Sequence, residues 1–485
     1  MARTRIIVVG AGIGGLSSAM RVAHAGCHVK MFEASAAPGG KMRTIPSKSG
    51  PVDAGPTVLT MRGVFDDLFE GCGHTLSQHI TLDPEPVLAR HFWPDGSRLD
   101  LFSDPEASAE AVDRFAGPQS ADDFRRFHAE TRRLFRAFEA PVMRQARPSP
   151  AALTTRTLAD PALIRAMAPL STLAQRLGAR FRDPRLAQLF GRYATYVGGS
   201  PYRVPALLAL VWQAEAQGVW RVRGGMHRLA AGMADAAAQL GVEIAYDAPV
   251  ARIESGPAVV LADGTRHTAD AVIFNGDPRA LRTGHLGPDP QTAVPRSAVH
   301  PRSLSAEVWA FAGTPEGADL HHHNIFFGAD PTTEFKPITH GAAARDPSIY
   351  ICAQDRGTGR APPETERFET IVNAAPISED EEPTPCFNRT FETLASRGLT
   401  FRTRPDPSAR TTPQDFAALF PGSLGSLYGR SPEGMLATFQ RPGARSKMPG
   451  LYLAGGGVHP GAGVPMAALS GKHAAEAILK DRTST

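Results

Sequence analysis

The chain has 485 residues, 42% of them hydrophobic and 21% charged, and a mass of 51.7 kDa. These proportions are typical of a globular protein of roughly two to four domains, and they exclude wholesale disorder. The longest near-continuous apolar run, residues 206–212, is far shorter than the ~20 residues that a bilayer-spanning helix needs. We therefore expect no transmembrane helix.

The N-terminus and the cysteines indicate a reducing compartment. The first five residues precede an apolar run that is shorter than the core of a secretory signal peptide. The four cysteines, at positions 27, 72, 352 and 386, are widely spaced and form no CxxC pair. We expect a cytoplasmic protein whose cysteines are reduced thiols.

Positive charge is concentrated in one part of the chain, although the net charge is only +4. Residues 125–192 contain fourteen arginines, no lysine and four carboxylates, a local balance of +10 that leaves the rest at −6. This asymmetry predicts an anionic partner, nucleic acid or phospholipid headgroups, unless the arginines form a solvated helical face. No nucleic-acid-binding motif accompanies them, so we expect an anionic membrane surface and no nucleic acid. Apolar side chains could add burial in the membrane interface: Leu207, Leu208, Leu210 and Trp212.

The elements predicted in chain order begin and end with a strand, a glycine turn and a helix. Residues 5–9, 16–25 and 28–33 form a predicted βαβ unit, and residues 105–240 form a mostly helical region interrupted by prolines. Residues 242–246, 258–261 and 271–274 read as strands, with a hairpin at the turn Ala262-Asp-Gly264. Residues 348–352 are a further strand, and residues 467–479 form the last helix.

The motif Gly10-x-Gly12-x-x-Gly15, which includes Gly14, joins the first strand to the first helix, and Glu33 ends the second strand. Glycines allow a tight turn and a close approach of backbone to pyrophosphate, while a carboxylate at this distance accepts ribose hydroxyls. The pattern predicts a dinucleotide site rather than a purely structural turn. Glu33 also argues against a 2′-phosphate, which it would repel.

A second glycine-rich stretch near the C-terminus, residues 450–466, again leads into a helix. Such a turn directs backbone N–H groups and a positive helix end at an electronegative group. The residues predicted to contact a cofactor here are Gly455, Gly456, Gly463, Val464 and Met466. His459 is a candidate acid or base, or alternatively a capping or packing residue.

Two segments after the βαβ unit carry a family resemblance: Pro38-Gly39-Gly40-Lys41-Met42-Arg43 and Asp53-Ala54-Gly55-Pro56-Thr57. They resemble the flavin amine oxidase and phytoene desaturase superfamily. The resemblance implies FAD, with both segments along the cofactor, Val250 among the residues that bind it, and the C-terminal turn at the flavin O2 edge. The chain departs from the pattern at Met466, where a glycine is expected, and at Lys41, where many relatives carry arginine.

Nearly the whole chain is similar to the bacterial carotenoid (phytoene) desaturase family, also through residues 223–226, 269–275 and 453–465. Residues 55–65, 322–327 and 350–356 resemble its 1-hydroxycarotenoid 3,4-desaturase (methoxyneurosporene dehydrogenase) branch. The resemblance implies desaturation at C3–C4 of a long apolar carotenoid of the 1-hydroxy- or methoxy-neurosporene type. Because a carotenoid resides in the bilayer, we expect a cytoplasmic protein attached peripherally to the inner membrane. The electron acceptor, oxygen or a quinone, is left open. The resemblance assigns no catalytic base.

We expect an α/β fold in three parts. A Rossmann-like FAD-binding domain would comprise residues 1–75, 220–285 and 447–485, and a mixed-sheet substrate domain residues 76–104 and 286–446. Residues 105–219 would form an inserted helical lobe that faces the membrane.

Several alternatives remain open from the sequence. Another carotenoid desaturase, a carotenoid isomerase, or an amine or protoporphyrinogen oxidase would use the same FAD frame. A GDI-like protein would bind prenyl chains without catalysis. The run His321-His322-His323 suggests a metal, yet consecutive side chains diverge and no cysteine or carboxylate lies near in sequence, so we expect no metal site.

Overall fold

The computed structural model describes residues 3–149, 154–155, 157, 159–378, 389–434 and 437–483. Cys386 lies outside these residues. The other three cysteines are free thiols, as expected. Among the described helices, none is long and apolar enough to cross a bilayer.

A five-stranded parallel sheet carries the N-terminal motif. Its strands are rich in Val and Ile and largely buried, as expected of a parallel sheet covered on both faces. Helices Ile13–His24, His227–Gln239 and Val464–Thr483 pack beside it. The strand order is Leu451–Leu453, Ala271–Phe274, Arg5–Val9, His28–Phe32 and Glu243–Ala245.

The second large sheet has seven strands and is mixed. The pair His323–Phe326 with Val87–Phe92 is parallel, and the other pairs are antiparallel. The strand order is Arg410–Thr411, Ser305–Gly313, Glu366–Ala374, Ile349–Ala353, His323–Phe326, Val87–Phe92 and Arg98–Phe102. All seven strands fall within the ranges expected for the substrate domain, although the division into domains itself stays a prediction.

Residues 105–219 are mostly helical. Four of the helices begin on a proline, the position where a missing N–H costs nothing, so these prolines start helices rather than merely interrupting them. The aspartates before three of these prolines cap the helix with their carboxylates. The helices are Pro105–Ala116, Pro118–Phe138, Pro161–Met167, Leu173–Arg180, Pro184–Gly191 and Trp212–Ala216, with a π-helical turn Glu139–Met143 and 3₁₀ turns Arg192–Val197 and Ala206–Val211.

Short elements complete the fold. The small sheets comprise Val250–Glu254, Ala258–Leu261 and Arg266–Thr268; Thr44–Ile45 and Val52–Asp53; Leu82–Pro84 and Trp220–Val222; and Pro315–Gly317 and Leu399–Phe401. The remaining helices are Gly63–Glu70, Leu76–His79, Pro278–Arg282, Pro331–Thr339, Thr390–Ser396, Pro413–Leu419 and Ala437–Gln440, with 3₁₀ turns Asp289–Thr292, Arg296–Ala298 and Pro407–Ala409.

Most predicted elements are confirmed, with shifted ends. The first helix begins at Ile13 and the last at Val464, because residues of both glycine turns join the helices. The interfacial role expected of Trp212 and Leu210 is wrong, since both side chains are buried in the lobe's cores. Leu170, in contrast, is 99% exposed.

Candidate functional site

The two predicted glycine turns are in contact. Parallel strands end at the same edge of a sheet, so the N-terminal and C-terminal turns lie at one edge, with the strand Ala271–Phe274 between the two strands that they follow. A Cβ on Gly14 would lie 2.6 Å from the Gly455 nitrogen, and one on Gly15 would lie 2.1 Å from the Gly10 oxygen. Only glycine permits this approach, which explains the residue type at both turns.

Asn275 lies between the turns. Its Nδ2 donates to the Gly10 carbonyl at 3.2 Å. Its Oδ1 is buried beside Gly14 and Gly455 and has no hydrogen-bond partner among the described residues. The sequence did not single out Asn275 as a site residue, because its role depends on the meeting of two distant turns.

Glu33 stabilises the N-terminal turn. Its buried carboxylate accepts hydrogen bonds from the Ala11 nitrogen at 2.6 Å and the Ser35 nitrogen at 2.9 Å. Its own carbonyl accepts from the Ala248 nitrogen, which places the start of the strand Val250–Glu254 nearby. Val250 is half-buried and packs in the same apolar cluster as Phe32.

The segment of residues 39–43 lies against the N-terminal turn. Gly39 donates to the Ala11 carbonyl, and Gly40, at φ +59°, places its Cβ position 3.4 Å from the Gly12 Cα. Lys41 Nζ donates to the Leu427 carbonyl at 2.5 Å. Burial lowers the pKa of this ammonium group to about 8.

Arg43 and Asp53 connect the segments of residues 39–43 and 53–57 to other parts of the molecule. Arg43 Nη2 donates to Thr411 Oγ1 at 2.6 Å on the edge strand of the seven-stranded sheet. Burial lowers the pKa of Arg43. The Asp53 carboxylate accepts from the Met226 nitrogen at 2.7 Å and lies 2.8 Å from His227 Nδ1. Asp53 thereby holds the start of the helix His227–Gln239.

The segment of residues 55–57 joins this site to the seven-stranded sheet. A Cβ on Gly55 would lie 2.0 Å from the Lys41 oxygen, so the segment that contains Pro56 lies against the segment of residues 39–43. The hydroxyl of Tyr350 lies 2.7 Å from both Thr57 Oγ1 and His323 Nδ1.

The C-terminal turn is tied to its own helix and to a buried arginine. Ser470 Oγ accepts from the Gly455 nitrogen at 2.7 Å. Arg441 Nη1 donates to the Gly456 carbonyl at 3.0 Å, and burial lowers the pKa of this arginine to about 10. The turn ends with Gly463, at φ +106°, and Val464, the first residue of the last helix; Met466 is half-buried against the core. The sequence missed Arg441, which no motif marks.

His459 has a packing role. Its Nε2 lies 2.8 Å from the Gln145 carbonyl and 3.1 Å from the Val142 carbonyl, both in or next to the π-helical turn. The ring is buried and stacks on His473. Of the two alternatives that the sequence leaves open, this geometry favours the packing residue, which joins the helical lobe to the glycine turn.

The inner face of the seven-stranded sheet is the face that lies over residues 52–57, and it is lined with titratable groups. Antiparallel pairing places Glu369, Cys352 and His323 in one row across three strands. Burial raises the pKa values of Glu369 and Cys352 well above their usual ranges and lowers that of His323 well below its own. Cys352 and His323 are therefore uncharged near neutral pH, and the charged form of Glu369 is disfavoured.

His322, His323 and Cys352 form a compact group in the structure. Their nearest ligand atoms lie within 4.8 Å of one another, and all three residues are buried. The cysteine comes from a neighbouring strand, which the sequence alone did not reveal. Ligands of a tetrahedral zinc lie roughly 3.3 to 3.6 Å apart, and both Nδ1 atoms already face oxygen atoms. Within the trio, Cys352 Sγ lies 3.6 Å from His322 Nε2, and the absence of a metal site stays a prediction.

The residues at the two turns fit a flavin dinucleotide. The helix Ile13–His24 begins without a side-chain cap, so its first N–H groups can bind a pyrophosphate. Glu33 stands at the end of the second strand, and Asn275 presents an unpartnered oxygen between the turns. A separate, largely apolar cavity of about 410 Å³ lies between the helix Pro184–Gly191 and the sheet residues Phe327 and Ser348.

Comparison with known proteins agrees with this geometry. Residues 13–479 match the family described as flavin containing amine oxidoreductase. The hydroxyneurosporene desaturase of Cereibacter sphaeroides is 56% identical over 99% of this chain and 98% of its own length. That of Rhodobacter capsulatus is 52% identical over 99% of both chains. A putrescine oxidase structure with bound putrescine has the same fold, with a TM-score of 0.61 at 16% identity over 99% of both chains.

The chain is a flavoprotein oxidoreductase of the flavin-containing amine oxidoreductase family. Within that family it belongs with the bacterial carotenoid desaturases, alongside the hydroxyneurosporene desaturases. The family resemblance, the α/β fold class, FAD as cofactor and the class of enzyme are confirmed.

Proposed function

We propose that this protein is an FAD-dependent desaturase that removes two hydrogens from C3–C4 of an acyclic 1-hydroxy- or methoxy-carotenoid of the neurosporene type. The observation that carries the proposal is the 52–56% identity to hydroxyneurosporene desaturases over nearly the full chain. Both glycine turns are intact and in contact, which argues against a GDI-like carrier without cofactor.

We assign the dinucleotide to the predicted residues: Gly10, Gly12, Gly14, Gly15, Glu33, Gly39, Gly40, Lys41, Arg43, Gly55, Pro56, Thr57, Val250, Gly455, Gly456, Gly463, Val464 and Met466. When bound, FAD supplies the two-electron oxidation, and oxygen or a quinone is the final acceptor that we expect. The chain's own contribution is orientation and the exclusion of water. Burial disfavours the charged forms of Cys352 and His323 on the inner face, which suits contact with a hydrocarbon.

We assign membrane docking to the helical lobe, residues 105–219. Most of the described arginines of residues 125–192 pair with carboxylates, for example Arg133 with Asp160 at 2.7 Å. Four exposed arginines have no carboxylate partner among the described residues: Arg132, Arg136, Arg147 and Arg165. Together with the exposed Leu170 they provide basic and apolar contacts for an anionic bilayer.

Turnover tests the proposed function. The purified protein, supplied with FAD, is incubated with liposomes that contain 1-hydroxyneurosporene, neurosporene or phytoene, and products are separated by chromatography. We expect desaturation of the hydroxylated compound and little conversion of phytoene. Efficient conversion of phytoene without turnover of hydroxyneurosporene would contradict the proposal, and isomerisation without net oxidation would favour the carotenoid isomerase.

A further inference from the structure

Glu369 is a buried carboxyl group without a partner. It is fully inaccessible to solvent on the central strand Glu366–Ala374, and neither carboxyl oxygen has a hydrogen-bond partner among the described residues. Burying a carboxyl group without a hydrogen-bond partner lowers the free energy of unfolding by several kcal/mol relative to burying one that has a partner. Such a group is expected where a ligand completes the hydrogen bonding.

The position of Glu369 is next to the segments assigned to the flavin. It pairs across the sheet with Ala310, which packs against Val52 and Ala54. The charged groups that act on Glu369 are Asp53 and Arg43. The carboxyl therefore lies between the inner face of the sheet and residues 43–57.

The proposed reaction requires an oxygen-binding group in this space. In a 1-hydroxycarotenoid only C1 and C2 separate the hydroxyl oxygen from C3, so the hydroxyl group must lie close to the bond that is oxidised. Burial disfavours the charged form of Glu369, and in its protonated form a carboxyl offers one donor and one acceptor. An alcohol has the same complement.

We propose that Glu369 binds the terminal hydroxyl group of the substrate and thereby selects oxygenated carotenoids over hydrocarbons. This inference rests on the proposed function. A hydrocarbon end would leave the carboxyl unsatisfied, and sites of this kind reject the analogue that lacks the hydroxyl. Glu369 is a specificity residue in this scheme and takes no part in removing hydrogen.

A competing role for Glu369 is an ion pair with Arg43, whose Nε is also buried without a partner. Two substitutions separate the roles. Glu369→Gln keeps a hydrogen-bond donor and an acceptor but cannot carry a charge. Glu369→Leu removes the hydrogen bonding as well as the charge. Thr370→Val is the matched control, because Thr370 Oγ1 is equally buried and unpartnered on the opposite face of the same strand.

The experiment measures kcat/KM for 1-hydroxyneurosporene and for neurosporene in each variant, together with the melting temperature. We expect Glu369→Leu, or Glu369→Met as a second apolar variant, to lower the preference for the hydroxylated compound about ten- to a hundredfold without lowering the melting temperature. We expect Glu369→Gln to retain the preference within about threefold, and Thr370→Val to leave it unchanged.

Two results would overturn the inference. In the first, the apolar variants keep the wild-type preference; in the second, the Gln and apolar variants melt earlier to the same extent and lose flavin, as an ion pair with Arg43 predicts. Quenching of tryptophan fluorescence by each polyene measures binding without turnover. A wild-type protein that converts neither compound would therefore contradict the proposed function, while the binding preference of the variants still decides the role of Glu369.

Discussion

The two glycine turns and the inner face of the seven-stranded sheet are built on different physical principles. At the turns, backbone meets backbone, and the fit depends on the missing Cβ atoms of Gly14 and Gly15. On the inner face, the pairing of separate strands brings Glu369, Cys352 and His323 together, and burial disfavours their charged forms. The first arrangement follows from local spacing along the chain, whereas the second exists only after the sheet has formed.

A buried ion pair joins the two regions. Asp277 follows the strand Ala271–Phe274 of the parallel sheet, and Arg302 precedes the strand Ser305–Gly313 of the mixed sheet. Both side chains are 5% exposed, and their charged atoms are in direct contact. Arg302 also donates to the Ser423 carbonyl at 3.0 Å.

The largest effect is expected at the glycine turn. In Gly12→Val the first side-chain atom would lie 2.8 Å from Asn275 Nδ2, and the branched side chain would occupy the approach to the pyrophosphate. We expect complete loss of FAD, measured as flavin absorbance after gel filtration. Gly178→Ala is the control, because its Cβ meets nothing within 4 Å in the helix Leu173–Arg180; it should bind FAD and be stabilised by about 0.5 to 1 kcal/mol. A Gly12→Val protein that retains FAD would contradict the assignment of this turn.

The next effect concerns the junction between the regions. Arg302→Ala leaves Asp277 buried and unpaired, which typically costs about 3 to 5 kcal/mol of unfolding free energy. Arg402→Ala removes an exposed pair with Glu316 and should cost less than about 1 kcal/mol. Urea unfolding with flavin and tryptophan fluorescence measures both. Equal losses in the two variants would show that the buried pair does not hold the sheets together.

Acid should destabilise the protein through its buried histidines. Burial lowers the pKa of His91 to about 3, below about 6.5 in the unfolded chain, so the unfolded state binds the extra proton and stability falls as pH decreases from about 6.5 to 3. From pH 7 to pH 5 this one group should cost about 2 kcal/mol. We expect His91→Gln to shrink the wild-type difference between these pH values by that amount. An unaltered difference in His91→Gln would refute the linkage.

The smallest effect tests the exposed side of the helical lobe. Arg136→Gln should lower the affinity for anionic liposomes about fivefold at low salt, as measured by flotation. Each basic residue near such a surface contributes about 1 kcal/mol to the binding free energy. Arg402→Gln carries the same change of charge outside the lobe and serves as control. Both variants should behave alike in high salt, where screening shortens to about 3 Å. Equal recovery of all proteins on neutral and anionic vesicles would mean that the arginines are a solvated face.

Prediction from the sequence succeeded where chemistry depends on residues close in the chain. The strands Arg5–Val9, Ala258–Leu261 and Ala271–Phe274 were predicted at their observed bounds, and the glycine turns were found by spacing alone. It was wrong about Trp212, because an apolar run reads the same whether it faces a membrane or a core.

By itself the sequence determined the dinucleotide-binding frame, since glycine spacing, strand pattern and an acidic residue at fixed distance are local properties of the chain. The resemblance of residues 38–43 and 53–57 to a known superfamily indicated FAD and the family. Only the tertiary structure decided which distant groups meet. Contacts between residues far apart in the chain define three positions. Asn275 lies between the turns, Arg441 donates to the Gly456 carbonyl, and the buried carboxyl of Glu369 has no partner among the described residues. Burial then sets the charge of those groups, because desolvation is a property of the packed interior and has no counterpart in the linear chain.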